Sequence, residues 1–250
     1  MNPERVILET DVQYPETDGE PMAETDLHAQ RMIDLRLMLE ERYRDRKDVY
    51  VSGNLLLYYV EGDISRSLAP DVFVVMGVAG KLRRVYKLWE EGKGPDFVIE
   101  VTSRSTRTED VGKKRELYRD RLGVKEYFLF DPEGDYLLPR LKGIRFREGK
   151  EEEIPEERGR LHSEQLGLHL EAQGSNLVLF DSATGERLIP PGELPELRRE
   201  AERRAERAEG RAERAEGRAA GEAEERRKAE AEVQRLQEEI RRLRGETPGR

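Results

Sequence analysis

"PDFVIEVTSRSTRTEDVGKKRELY", residues 95–118, reads as a buried strand, a hydroxyl-rich turn and a helix. The side-chain period of two sets Phe97, Ile99 and Val101 on one face of the strand and Asp96, Val98, Glu100 and Thr102 on the other. Glu100 is the anomaly, because an unpaired carboxylate inside an apolar strand costs several kcal/mol. It needs a partner, either an Arg or Lys in a structural ion pair or, as a metal or catalytic carboxylate, groups brought from elsewhere in the chain.

Upstream, a helix is predicted over 26–46, where Met32, Leu35, Leu39 and Tyr43 fall along one face. Strands are predicted over 54–60 ("NLLLYYV"), 71–76 ("DVFVVM"), 97–102 and 125–130 ("KEYFLF"). The helix over 109–122 lies between the last two strands, and a strand–helix–strand crossover implies parallel pairing. A hairpin or meander is expected after 131, with short strands over 161–181 closing the domain. The order α-β-β-β-α-β argues for an α/β fold with a mixed sheet flanked by helices.

Near residue 193 the chain changes character, so a globular domain over 1–190 and a C-terminal helix over 191–250 are expected. "RAERAEG" stands at 204–210 and again at 211–217. With Ala205 at position a, an unbroken 3-4 spacing runs through Ala208, Ala212, Ala215, Ala219, Glu222, Arg226, Ala229, Val233, Leu236, Ile240 and Leu243. This is a heptad seam, and Val and Ile at a with Leu at d favour a parallel two-stranded coiled coil. A homodimer, or another helical partner, is the expected use of this arm. A lone solvated helix is the alternative, since the alanine seam is thin and Glu222 and Arg226 interrupt it.

Composition narrows the classes. The charged fraction is 40%, well above the usual quarter, and the net charge of −9 argues against a protein that simply coats nucleic acid. Residues 81–125 nevertheless hold 13 Lys/Arg against 8 Asp/Glu, and that local cationic excess is compatible with phosphate. Without cysteine there is no thiolate chemistry, disulfide or Cys zinc site. No apolar run approaches the length of a membrane span and no signal peptide is apparent, so a cytoplasmic location is expected. Walker, dinucleotide-binding and serine-hydrolase motifs are missing.

Four short segments together carry a resemblance. They are "APDVFVV" (69–75), "FVIEVTSRST" (97–106), "DVGKKRELY" (110–118) and "VKEYFLFDP" (124–132). In this order and spacing the chain, over about residues 20–190, resembles the PD-(D/E)XK nuclease superfamily, most closely its bacterial branch of restriction-endonuclease-like proteins. The resemblance implies a Mg²⁺- or Mn²⁺-dependent endonuclease acting on DNA. It implies that Asp71, Glu100 and the backbone carbonyl of Val101 ligate the metal, a hard-oxygen set suited to such ions. The motif's lysine would stand two residues past the glutamate, where this chain has Thr102. The match moves instead to Lys114 on the following helix, with Lys113 ranked second. The alternative use of such a fold is a non-catalytic DNA-binding or assembly-adaptor module.

Other residues compete for these roles. Asp96 also follows a proline, yet it lies four residues from Glu100, about 13 Å along a strand, so Asp71 is preferred as the first acid. Glu24 reads as a helix-start acid or an accessory ligand. His28 reads as a packing or capping residue ahead of a catalytic one. Asp110 reads as a first-turn acid or cap, and Ser103, Ser105 and Thr106 as helix caps able to touch phosphate.

Overall fold

The computed structural model describes residues 12–17, 25–103 and 110–244. In chain order its elements are α1 (Asp26–Arg42), β1 (Val49–Ser52), β2 (Leu57–Tyr58), β3 (Ser67–Leu68), β4 (Val72–Met76), β5 (Tyr86–Lys87), α2 (Leu88–Glu91) and β6 (Phe97–Val101). A π-helical turn (Asp110–Lys114) then leads into α3 (Arg115–Asp120) and β7 (Glu126–Phe130). There follow β8 (Leu141–Arg147), β9 (Lys150–Glu153), β10 (Glu156–Glu157), β11 (Arg160–Ser163), β12 (Leu168–Gln173), β13 (Asn176–Asp181) and α4 (Leu194–Leu243). The chain divides into two compact units, Met1–Gly192 and Glu193–Arg250.

The first unit is built on a six-stranded mixed sheet of order β1-β4-β6-β7-β8-β9. β6 and β7 pair in parallel across the crossover, as the sequence implies, while β4 runs antiparallel to β6 and β1 antiparallel to β4. Alternation along the strands sends Val72, Val74, Phe97, Ile99, Val101, Phe128 and Phe130 to one face, where Leu35, Met38 and Leu39 of α1 join them. The same cluster takes in Leu168, Leu170 and Leu179 of a second sheet, β10-β11-β12-β13. Phe73, Val75, Val98, Tyr127 and Leu129 face the other way and pack on Tyr118 of α3. Each buried side chain of this size contributes roughly 1.5–3 kcal/mol, so the two apolar faces hold the central strands.

One predicted strand is displaced. The run at 54–60 supplies only the two-residue β2, in a small sheet with β3 and β5, and the main-sheet edge is instead Val49–Ser52. Gly53 and Asn54 separate the two. A Cβ at Gly53 would lie 2.2 Å from the Asp71 carbonyl oxygen, and Asn54 has φ 51°, a left-handed conformation that ends the strand.

The expected hairpin is β8–β9, closed by Glu148 and Gly149, both at positive φ as a two-residue primed turn requires. A buried carboxylate that sequence reasoning passed over, Glu126, joins the two sheets. It accepts from Arg145 Nη2 (3.0 Å), Ser163 Oγ (2.5 Å) and the backbone N–H groups of Glu164 (3.0 Å) and Gln165 (3.2 Å).

The second unit carries α4, 50 residues long and without a buried residue. Its seam residues Val233, Leu236, Ile240 and Leu243 stand exposed on the single chain. Among the described residues no helix is long and apolar enough to cross a membrane.

Candidate active site

The register of β4 on β6 places the two acids. Val72 pairs with Ile99, and one step further the same antiparallel register sets Asp71 opposite Glu100. Residues directly opposite each other in an antiparallel pair project from the same face. The two residues lock reciprocally. The Asp71 N–H donates to Glu100 Oε2 at 3.2 Å, and the Val101 N–H donates to Asp71 Oδ2 at 2.7 Å. The Glu100 side chain is 0% exposed, that of Asp71 15%.

The helix after β6 supplies the donors that make a buried Glu100 tolerable. Lys114, at the end of the π-helical turn, places Nζ 3.3 Å from Glu100 Oε1. Tyr118, one turn further and fully buried, donates its hydroxyl to the same oxygen. Burial and the nearby Glu100 charge push the Tyr118 pKa well above the ordinary tyrosine value, so this hydroxyl keeps its proton and donates at any working pH. The i, i+4 spacing of Lys114 and Tyr118 brings both to one carboxylate oxygen. Lys113, its neighbour, is exposed.

His28 joins this group from α1. Thr25 caps that helix, its hydroxyl accepting from the His28 N–H at 3.2 Å. The imidazole is 2% exposed. Its Nε2 makes a short hydrogen bond to the Val101 carbonyl and stands 3.5 Å from Asp71 Oδ2. The backbone capping expected near this position is therefore Thr25's, and the side chain of His28 lies at the candidate site. The available signal was its spacing: the core-facing Leu35 and Leu39 of α1 lie seven and eleven residues on, so His28 shares their stripe.

Asp96 is placed elsewhere. It accepts from the Met76 N–H at 2.7 Å and is ion-paired with Lys93 at 2.8 Å and Lys125 at 2.6 Å, at the opposite end of β6. Burial acts to raise its pKa, but hydrogen bonds from Lys125, Lys93 and Met76 outweigh it and hold the carboxyl below its usual value. This is a structural ion pair tying β4, β6 and the start of β7. Glu24, Ser105 and Thr106 lie outside the described residues, as does the side chain of Asp110.

As a donor set, Asp71, Glu100 and the Val101 carbonyl are three hard oxygens on two neighbouring strands. That chemistry fits a divalent cation of the Mg²⁺ or Mn²⁺ kind, with water or phosphate oxygens completing its shell. The Val101 oxygen has two lone pairs, so the His28 hydrogen bond leaves it able to accept a second partner. Among the described residues no three His, Cys, Asp or Glu side chains group closely enough to hold an ion by themselves.

Residues 4–176 match the Uma2 family, whose description is "Putative restriction endonuclease". The chain belongs to this family. The matched span takes in Asp71, Glu100, Val101, Lys114 and His28, and ends before the C-terminal helix. No curated protein matches the chain. Among solved structures, it is similar to one described as a "putative nuclease belonging to DUF820" from Anabaena variabilis ATCC 29413, with 18% identity and a TM-score of 0.45, covering 62% of this chain and 85% of that one. A family of restriction-endonuclease description and a mixed α/β core with Asp71 opposite Glu100 agree on a nuclease-type fold.

Proposed function

We propose that this Uma2-family chain is a cytoplasmic, divalent-metal-dependent endonuclease that hydrolyses phosphodiester bonds in DNA. The observation that carries this reading is the meeting of Asp71, Glu100 and Lys114, three residues from separate elements, at one buried carboxylate. Asp71, Glu100 and the Val101 carbonyl are the proposed ligands of Mg²⁺ or Mn²⁺. Bound there, such an ion supplies acidification of a water and neutralisation of charge growing on the phosphate.

The chain's own residues do the rest. Lys114 presents its ammonium at the edge of the carboxylate pair, where it stabilises negative charge on the attacking oxygen or the phosphate. Tyr118 holds Glu100 in one rotamer through Oε1, leaving Oε2 toward Asp71. His28 fixes the Val101 carbonyl and stands beside Asp71, so the end of β6 keeps its direction.

Incubation of the full chain with supercoiled plasmid tests the reading. Nicking or linearisation is expected with Mg²⁺ or Mn²⁺, and neither in EDTA nor with Glu100→Ala. Intact DNA and RNA in the presence of either ion would overturn it. A second reading is a nuclease-fold module that binds DNA without cutting. It expects retarded but uncut DNA in the same assay.

The arm is proposed to pair two copies. The full chain is expected to sediment as a dimer, and a chain ending at Pro191 to shift toward monomer. A full-length monomer at tens of micromolar would refute pairing and leave the exposed seam to another helix.

A further inference from the structure

Beside the candidate site runs an open cleft of about 760 Å³, lying between α1 and the free edge of β1. β1 is the terminal strand of the main sheet. At one end the cleft is lined by Gly53 and Asn54, and the Asn54 N–H donates to the Pro70 carbonyl at 2.8 Å. The close approach of Gly53 to the Asp71 carbonyl oxygen sets that end against the backbone of a proposed metal ligand. At the other end are Lys47 and Lys81, brought side by side because the Gly80 N–H donates to the Lys47 carbonyl at 3.0 Å. Between the ends runs β1, Val49–Ser52, whose extended chain spans about 10 Å.

The lining contains six cations, Arg36, Arg44, Arg46, Lys47, Lys81 and Arg83, and a single acid, Glu40. These cations differ in kind. Arg83 is committed to the fold: its side chain is nearly buried, bonds Glu91 at 2.7 Å and lies 4.0 Å from the ring centre of Tyr50. Arg36 pairs with Glu40 at a half-buried position, and Arg44 and Arg46 form exposed pairs with Glu41 and Asp48. Such pairs contribute little and exchange readily for another anion. Neither Lys47 nor Lys81, both exposed, is ion-paired with a described residue. Over residues 1–190 there are 29 Lys/Arg against 38 Asp/Glu, so this cleft reverses the sign of the unit that carries it.

We infer that this cleft is the track along which the sugar–phosphate backbone of a nucleic-acid strand approaches the site, with Lys47 and Lys81 as its distal phosphate anchor. The inference rests on the nuclease reading and adds to it a direction of approach and two residues outside the catalytic group. The β1 stretch alone, about 10 Å, matches roughly three nucleotides at the 3.4 Å rise of one duplex strand. Cations that touch only phosphate bind without sequence preference and release counterions, which makes their contribution dependent on salt. The other occupant of a free sheet edge is an extended peptide adding a strand, with the lysines then serving to deter edge-to-edge pairing. The cationic lining favours the polyanion.

The test measures binding of a fluorescein-labelled 20-mer DNA duplex by the full chain in EDTA, by anisotropy over a series of salt concentrations. The double variant Lys47→Glu/Lys81→Glu is compared with Lys150→Glu/Arg158→Glu, which makes the same change of net charge at exposed positions outside the cleft. Affinity is expected to fall at least tenfold in the cleft variant alone, with a salt slope shallower by about two, while Mn²⁺ binding and melting stay at wild-type values. Equal affinity in wild type and cleft variant overturns the track and leaves the nuclease reading standing. Equal losses in both double variants also overturn it, since net charge alone would then explain the effect. A wild-type chain that binds no DNA at any salt concentration overturns both.

Discussion

Lys114→Met is expected to lower plasmid cleavage at least about a hundredfold while leaving DNA affinity in EDTA nearly unchanged. Methionine keeps the length and apolar character of the stem and deletes the ammonium. In the fold that ammonium faces Glu100 Oε1 at 3.3 Å, with the side chain 19% exposed, so it acts at the candidate centre and is not spread over the surface. Removing a preorganised contact to charge that develops in the transition state costs about a hundred- to a thousandfold in rate. A lysine that merely held ground-state phosphate would show its loss in affinity and in a salt slope shallower by about one. Normal cleavage in Lys114→Met, with none in Lys113→Met, would move the role to the neighbour.

The second large effect concerns the ion. Titration calorimetry is expected to detect Mn²⁺ binding in the wild-type chain and to lose it in Asp71→Ala and Glu100→Ala. Asp96→Ala is expected to retain it, because Asp96 is occupied by Lys93, Lys125 and the Met76 N–H. Loss in Asp96→Ala with retention in Asp71→Ala would reverse the assignment of the two acids. The variants should also differ without metal. Glu100→Ala strands the buried Tyr118 hydroxyl and removes a carboxylate facing Lys114, and an unsatisfied buried donor costs about 1–3 kcal/mol, so its metal-free form should melt below wild type. Asp71 is more open to solvent and leaves fewer donors behind. Glu100→Gln retains an acceptor for Tyr118 and should recover part of the stability without recovering the ion.

Local pattern was enough for much of this architecture. Alternation alone assigned the two faces of β6, and the oddity of Glu100 on the Val98 face marked the site before any partner was known. The strand–helix–strand order required the parallel β6–β7 pair, and the heptad spacing marked where the globular unit gives way to a helix. These are short-range properties: a period of two or 3.6 is written in neighbouring residues. What only the tertiary structure decided depends on register and on contacts between distant segments.

Two Pro-Asp pairs look alike in sequence, but the β4–β6 register sets Asp71 opposite Glu100 and leaves Asp96 with two lysines at the other end of the strand. The run at 54–60 is the longer apolar stretch, yet the sheet edge is 49–52, with Gly53 passing close over Asp71 at its end. His28 stands 73 residues from the carbonyl it touches, and Glu126 holds a turn 37 to 39 residues further on. No local periodicity records such pairings. They exist because burying the two apolar faces of one sheet leaves each of these polar groups a single place to find its hydrogen bonds.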